Sequence, residues 1–307
     1  MTAGTTPAML VSHLKVRARP LARRVGLAAA PTAWWHAGTA PWRRRPPAAA
    51  TAWCNVCDWA GDAFDGVAHV ESAACPRCGS IGRDRFLLWC ALHRTPRPAM
   101  RRVLETSPRM GVEYRESMRA WFRYRASDFD QRLHAADIHL DLQKMELPDA
   151  SLDLVLTPHV LEHVPDTDRA LAELRRVLAP GGRAYVQVPL LQGGTAPPVE
   201  PEFHDDHTPV FWRFGWDLTD RLRAHGFDVA VLVPDAFRRL LSGADRRCDD
   251  RGEFLLSSIV PHPRPSDLVA VTDDTLTRQL GAEPPYQYVV WECVAPRRFA
   301  SRRRQVT

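Results

Sequence analysis

The sequence predicts an α/β protein: a doubly wound, mostly parallel sheet preceded by a small zinc ribbon. Two Cys-x-x-Cys pairs stand seventeen residues apart near residue 60, and apolar strands alternate with amphipathic helices from about residue 83 onward. The 307-residue length suits one large domain with a small appendage. Hydrophobic residues make up 45% and charged residues 25%, which describes a globular chain, and no run reaches the roughly 18 apolar residues of a membrane span.

Residues 1–50 are rich in Ala, Pro and Arg without a period that a core could use, and they are expected to be disordered. VGLAAAPTA follows arginines as a secretory leader would, but it is short, holds a proline and starts well inside the chain. A cytoplasmic location is therefore expected. The net charge of +5 gathers at the two ends, in Arg17 to Arg45 and in a basic tail over 299–307, where it is either a solvated charge run or a contact for RNA.

Residues 51–82 hold the ribbon. Cys54, Cys57, Cys75 and Cys78 form C-x2-C-x17-C-x2-C, two knuckles that each present a thiolate pair. Folding one onto the other makes a tetrahedral sulfur site suited to zinc. Four cysteine ligands leave no position for water, so the metal is expected to be structural. Two disulfides are the competing reading, disfavoured in a reducing compartment. Cys90, Cys248 and Cys293 stand alone, Cys90 and Cys293 in apolar runs.

Residues 83–298 carry the sheet. RDRFLLWCALHR reads as a helix, RRVLETSP as a strand, EYRESMRAWF as a helix, FRYRASDF and IHLDLQ as strands, and SLDLVLTPHV as an apolar strand. DTDRALAELRRVLAPGG is the clearest helix, capped at Asp166 or Thr167 and expected to stop at Pro180-Gly181-Gly182. GRAYVQVPL is the next strand and WDLTDRLRAHG the next helix. FDVAVLV and YQYVVWECVA are expected to close the sheet as an antiparallel pair around an insertion, residues 235–285.

His159, Glu162 and His163 spell H-x-x-E-H, the order of an inverted zinc peptidase. That chemistry needs both histidines on one regular helix. Here a strand precedes His159 and Pro165 interrupts after Val164, so the motif reads as the turn at a strand's carboxyl end, where open α/β sheets bind ligands.

Residues 103–190 resemble the class I S-adenosylmethionine-dependent methyltransferases, especially the small-molecule group. The match runs through Asp141, Leu147, Pro148, Asp153, His159, Glu162, His163, Arg176 to Leu178, and Pro180 to Gly182. The resemblance implies a Rossmann-like seven-stranded sheet with S-adenosylmethionine as cofactor. It also implies roles: Glu105 for the methionine amino group, Asp128 for the ribose hydroxyls, Asp141 with the backbone of Leu142 for adenine, and Thr157 lining the methionine pocket. The family's glycine loop is here ETSPRMG, with Ser107, Arg109 and Gly111 at the glycine positions. Either the loop takes another path, with Ser107 donating a hydrogen bond, or cofactor binding is weakened or lost.

Past the fifth strand, LLQGGTAPPVEPEFHDDHTPVFWRFGWD is where such enzymes place acceptor-binding loops. His159, His204 and His207 are the candidate proton acceptors, since imidazole titrates near neutrality. A small molecule or glycan intermediate is the expected acceptor. RNA is the competing one, weakened because Ala52 to Ser80 carries more acids than bases. A scaffold without methyl transfer is the third reading, motivated by Ser107 and Arg109.

Overall fold

The computed structural model describes residues 41–66, 73–97, 101–130, 136–190, 194–204, 207–241, 265–271, 274–281 and 289–297. Most of the expected N-terminal segment, the middle of the 235–285 insertion with Cys248, and the basic tail lie outside the described residues.

The ribbon is a short hairpin of β1 (Ala52–Cys54) and β2 (Trp59–Gly61), paired antiparallel. Its knuckles share one geometry. The residue after each second cysteine, Asp58 and Gly79, has positive φ, and their amides bond back to the Cys54 and Cys75 carbonyls at 2.7 and 2.8 Å. Glycine adopts that turn without strain, whereas Asp58 is held in it by the Trp53 indole, which donates to its carboxylate at 3.1 Å.

The sheet follows as β3 (Arg102–Thr106), β4 (Arg123–Asp128), β5 (Ile138–His139), β6 (Leu152–Pro158), β7 (Leu178–Gln187), β10 (Asp228–Val233), β11 (Leu268–Ala270) and β12 (Val290–Val294). In space the order is β11-β10-β12-β7-β6-β3-β4-β5. The pairs from β5 to β7 are parallel, and β12 lies antiparallel between β7 and β10, the closing pair that the sequence predicts. β11 makes an eighth strand where seven were expected. It comes from the insertion and runs parallel to β10 at the edge.

Helices cover both faces. Leu104, Val155, Val186 and Val231 pack under the Thr167–Val177 and Leu218–Ala224 helices, while Leu154, Leu156 and Tyr185 pack under the Gly82–Arg94 helix. Each fully buried Leu or Val contributes roughly 1.5–3 kcal/mol. The Thr167–Val177 helix is N-capped by Asp166, whose carboxylate accepts from the Arg169 amide, and it ends before Pro180-Gly181-Gly182. Those three residues lie inside β7, at a register shift against β6. Leu178 is already extended at the helix end, and a Cβ on Gly182 would sit 2.8 Å from the Ala179 carbonyl, so glycine lets the strand bulge there.

The ribbon shares a core with the sheet. Cys54, Val56, Cys57 and Cys75 lie in one apolar cluster with Phe86, Leu88, Tyr114 and Tyr124. Arg85, fully buried, ties the two: it donates to the carbonyls of Leu280 at 2.7 Å, of Ala73 at 2.6 Å and of Ser80, and lies 3.7 Å over the Phe64 ring. Residues 41–45 depart from the disorder expected up to residue 50. Trp42 packs edge-on against Trp121 at 5.5 Å, and Arg44 donates to the Val56 carbonyl at 2.8 Å, which gives this short stretch both apolar burial and ribbon contacts.

Candidate functional site

Two sites follow. In the first, the Sγ atoms of Cys54, Cys57, Cys75 and Cys78 all lie within 4.8 Å of one another, with Cys54 to Cys78 and Cys57 to Cys75 both 3.6 Å apart. A tetrahedral ion with bonds of about 2.3 Å sets its sulfurs about 3.8 Å apart, whereas a disulfide needs about 2.05 Å. The cluster therefore has the dimensions of a metal site. The alternative of two disulfides does not fit these separations.

The second site is the rim formed by the carboxyl ends of β3, β4 and β6. Glu105, the penultimate residue of β3, is buried and accepts from the Tyr124 hydroxyl at 2.7 Å. Burial pushes its carboxyl up to about 7, against the lowering effect of that bond. Asp128 closes β4 and is also buried, with Oδ1 accepting from the Asp130 amide at 2.8 Å. Thr157 is fully buried near the end of β6, and its hydroxyl has no hydrogen-bond partner among the described residues.

Other expected cofactor residues sit less openly. Asp141 uses Oδ1 in a local turn, accepting from the Gln143 amide at 2.8 Å, and the Leu142 side chain belongs to the core. Ser107 takes the left-handed conformation of a glycine, φ 47, and its amide donates to the Ser127 carbonyl at 2.6 Å. The loop thus keeps a glycine-like turn without the glycine. Gly111 caps the Val112–Trp121 helix. Arg109 and Met110 close over Glu105, leaving a cleft of about 10 Å³ that Asp84, Leu87, Leu88 and Tyr114 also line, room for roughly one water.

The H-x-x-E-H residues form no peptidase helix. His159 follows β6 at φ 50, and Leu161–His163 is a single 3-10 turn. Glu162 is buried with Oε1 3.6 Å from His159 Nδ1 and 3.8 Å from His163 Nε2. Among the described residues only the four cysteines gather closely enough for a metal. Burial, with Arg83 and Arg109 nearby, pushes the His159 ring well below its ordinary 6.5, so it is neutral at physiological pH.

The acceptor-side segment is a hairpin rather than a loop, β8 (Glu202–Phe203) against β9 (Pro209–Val210). It docks on the turn after β6: the Phe211 amide donates to the Glu162 carbonyl at 2.8 Å, and His163 Nδ1 meets the Pro209 carbonyl at 2.7 Å. His204 stands edge-on to His163 at 4.6 Å. His163 thus faces the hairpin, not the following helix. His207 is exposed with φ 64, and its amide donates to the His204 carbonyl at 2.9 Å. Sequence reasoning named Glu162 only as a letter of H-x-x-E-H, without a role on the rim, and missed Arg83. The signal for Glu162 was its place between two histidines of a turn; for Arg83, proximity to His159 appears only once the helix after the ribbon is placed.

A family model described as a methyltransferase domain matches residues 96–186. A probable S-adenosylmethionine-dependent methyltransferase of Mycolicibacterium smegmatis is 33% identical over 123 residues, 39% of this chain and 43% of that protein. An uncharacterised methyltransferase of Mycobacterium tuberculosis is 32% identical over 121 residues, 34% and 59% of the two. The chain spans about half the length of these curated relatives. Among solved structures, a Burkholderia thailandensis 1,6-didemethyltoxoflavin-N1-methyltransferase overlaps 70% of this chain and 78% of its own, with 14% identity and a TM-score of 0.40. An S-adenosylmethionine-dependent methyltransferase of Mesorhizobium loti overlaps 69% and 99%, with 15% identity and a TM-score of 0.39. The matched segment runs from the loop before β3 to the penultimate residue of β7 and so contains Glu105, Asp128, Thr157 and His159; over these residues the chain matches a methyltransferase domain.

Proposed function

We propose that the chain methylates a hydroxyl or amine of a small molecule or glycan intermediate, with one structural zinc ion in the Cys54–Cys57–Cys75–Cys78 cluster. The observation that carries the reading is the convergence of buried polar groups on one rim: Glu105, Asp128 and the Thr157 hydroxyl, the last without a partner among the described residues. Such groups cost free energy unless a ligand satisfies them.

When bound, S-adenosylmethionine supplies a methyl group activated by its sulfonium. Glu105 would hold the methionine amino group, Asp128 the ribose diol, Asp141 and the Leu142 backbone the adenine, and Thr157 the methionine pocket. A carboxylate accepts both ribose hydroxyls at once. His159 takes the proton released by the acceptor, and Glu162 beside it stabilises the imidazolium that results. The hairpin bearing His204 roofs this end of the sheet and orders His163. Positioning supplies most of the acceleration in such a reaction.

A second reading has its own observation. Arg109 and Met110 reduce the cleft beside Glu105 to the volume of one water, which suits a scaffold that has kept the fold without the activity. Calorimetric titration with S-adenosylmethionine separates the two. Catalysis requires saturable binding, weakened by about 1.5–3 kcal/mol in Asp128→Ala, the range of hydrogen bonds to a charged group. No heat at millimolar cofactor leaves the scaffold.

A further inference from the structure

The opposite end of the sheet carries a groove of its own. A groove of about 650 Å³ opens at the amino ends of β3 and β4, lined by Arg101, Arg102, Arg119, Trp121, Arg123 and Asp153. Parallel strands run from here towards Thr106 and Asp128, so the groove lies a full strand length from the rim.

Its charges do not cancel. Arg102 is held bidentately by Asp153, at 2.7 and 3.2 Å, and Arg119 pairs with Asp137 at 2.6 Å. Arg101 and Arg123 are exposed, and neither guanidinium has a hydrogen bond or ion pair among the described residues. The Arg123 amide donates to the Arg101 carbonyl at 2.8 Å, which keeps the two side by side. Two carboxylates against four guanidinium groups leave two positive charges in excess. Trp121 forms one wall, braced by Trp42, over whose ring Arg97 adds a further cation at 5.6 Å.

We propose that this groove binds phosphate groups, presented by a nucleic-acid strand or by a free phosphate ester. Adjacent guanidinium forks match phosphate oxygens two at a time, and a phosphate monoester carries close to the two negative charges that would balance the groove. The volume exceeds what a lone carboxylate needs and falls in the range of sites for whole small ligands.

Fluorescence anisotropy with a labelled ten-nucleotide single-stranded RNA, and calorimetry with pyrophosphate, test this on the full chain. Both substituted residues are exposed, so Arg101→Gln/Arg123→Gln keeps the fold, and its thermal shift with S-adenosylmethionine should equal the wild type's. The expected result is salt-sensitive RNA binding that the double variant weakens about tenfold, with a shallower salt dependence. Pyrophosphate binding that the double variant abolishes, without RNA binding, assigns the groove to free phosphate esters. Overturning results are that neither probe binds, or that the double variant binds both as tightly as wild type, which would place any RNA contact in the basic ends.

Discussion

Glu105 should make cofactor binding depend on pH in a way that few other groups on the rim can imitate. Its carboxyl is raised by burial from an ordinary 4.5 to about 7. The folded protein therefore holds more protons than the unfolded chain between those values, and stability falls as pH rises through the window, by about 3 kcal/mol if the whole difference is realised. A cationic amino group beside Glu105 favours the ionised form. Binding of S-adenosylmethionine should then tighten as pH rises, with the ionised fraction of Glu105 growing roughly fifteenfold between pH 5.5 and 7.0, a range in which the ligand's amino group stays charged. Calorimetry at pH 5.5, 6.2 and 7.0, in buffers of different ionisation heat, reads both the affinity and the proton released. Wild type should gain about fifteenfold in affinity and release about half a proton at pH 7. Glu105→Gln should bind more weakly with a flat profile. An affinity constant across the range in wild type, together with unimpaired binding by Glu105→Gln, would refute the assignment.

Three further outcomes are expected. Purified protein should carry about one zinc ion per chain, lost in Cys54→Ser/Cys75→Ser by elemental analysis, and an unchanged content in that variant would place the metal elsewhere. His159→Ala should lower methyl transfer while leaving zinc content as it was; equal activity in mutant and wild type would move the proton acceptor to His204 or His207. Arg85→Met should destabilise the fold by about 3–5 kcal/mol in chemical denaturation, since it leaves the Leu280 and Ala73 carbonyls buried without their donor, and a loss under 1 kcal/mol would show that ribbon and sheet are not joined through this residue.

Much of the fold was legible because local patterns and global position agreed. The apolar run of Leu152 to Pro158 reads as a buried parallel strand from its letters alone, and the cysteine spacing carries its own geometry. What the sequence hid depends on distant partners. Pro180-Gly181-Gly182 has the letters of a helix stop, yet the need to pair Leu178 with Leu152 drew those residues into a strand. β11 was concealed inside an insertion because an edge strand of three residues leaves almost no period to find. On the rim, Glu105 and Asp128 could be named from the family resemblance, which sets them at strand ends. Their burial, and the burial that keeps His159 neutral, follow only from which helix packs above them.

That helix gives the ribbon its place in the site. The Gly82–Arg94 helix begins four residues after Cys78, and the Asp84 carboxylate fixes its first turn by accepting from the Ile81 amide at 3.1 Å. Asp84, Leu87 and Leu88 then form one wall of the cleft beside Glu105, and Arg83 approaches His159 from the same turn. An ion in the cysteine cluster would hold the second knuckle closed and so set where this helix starts. Buried Arg85, one turn in, anchors that start to Ala73 and Ser80 of the ribbon and to Leu280 near the end of the insertion. A ribbon built this way is a wall of the rim rather than an appendage to it, and loss of its metal should be felt at Glu105 before it is felt in the far half of the sheet.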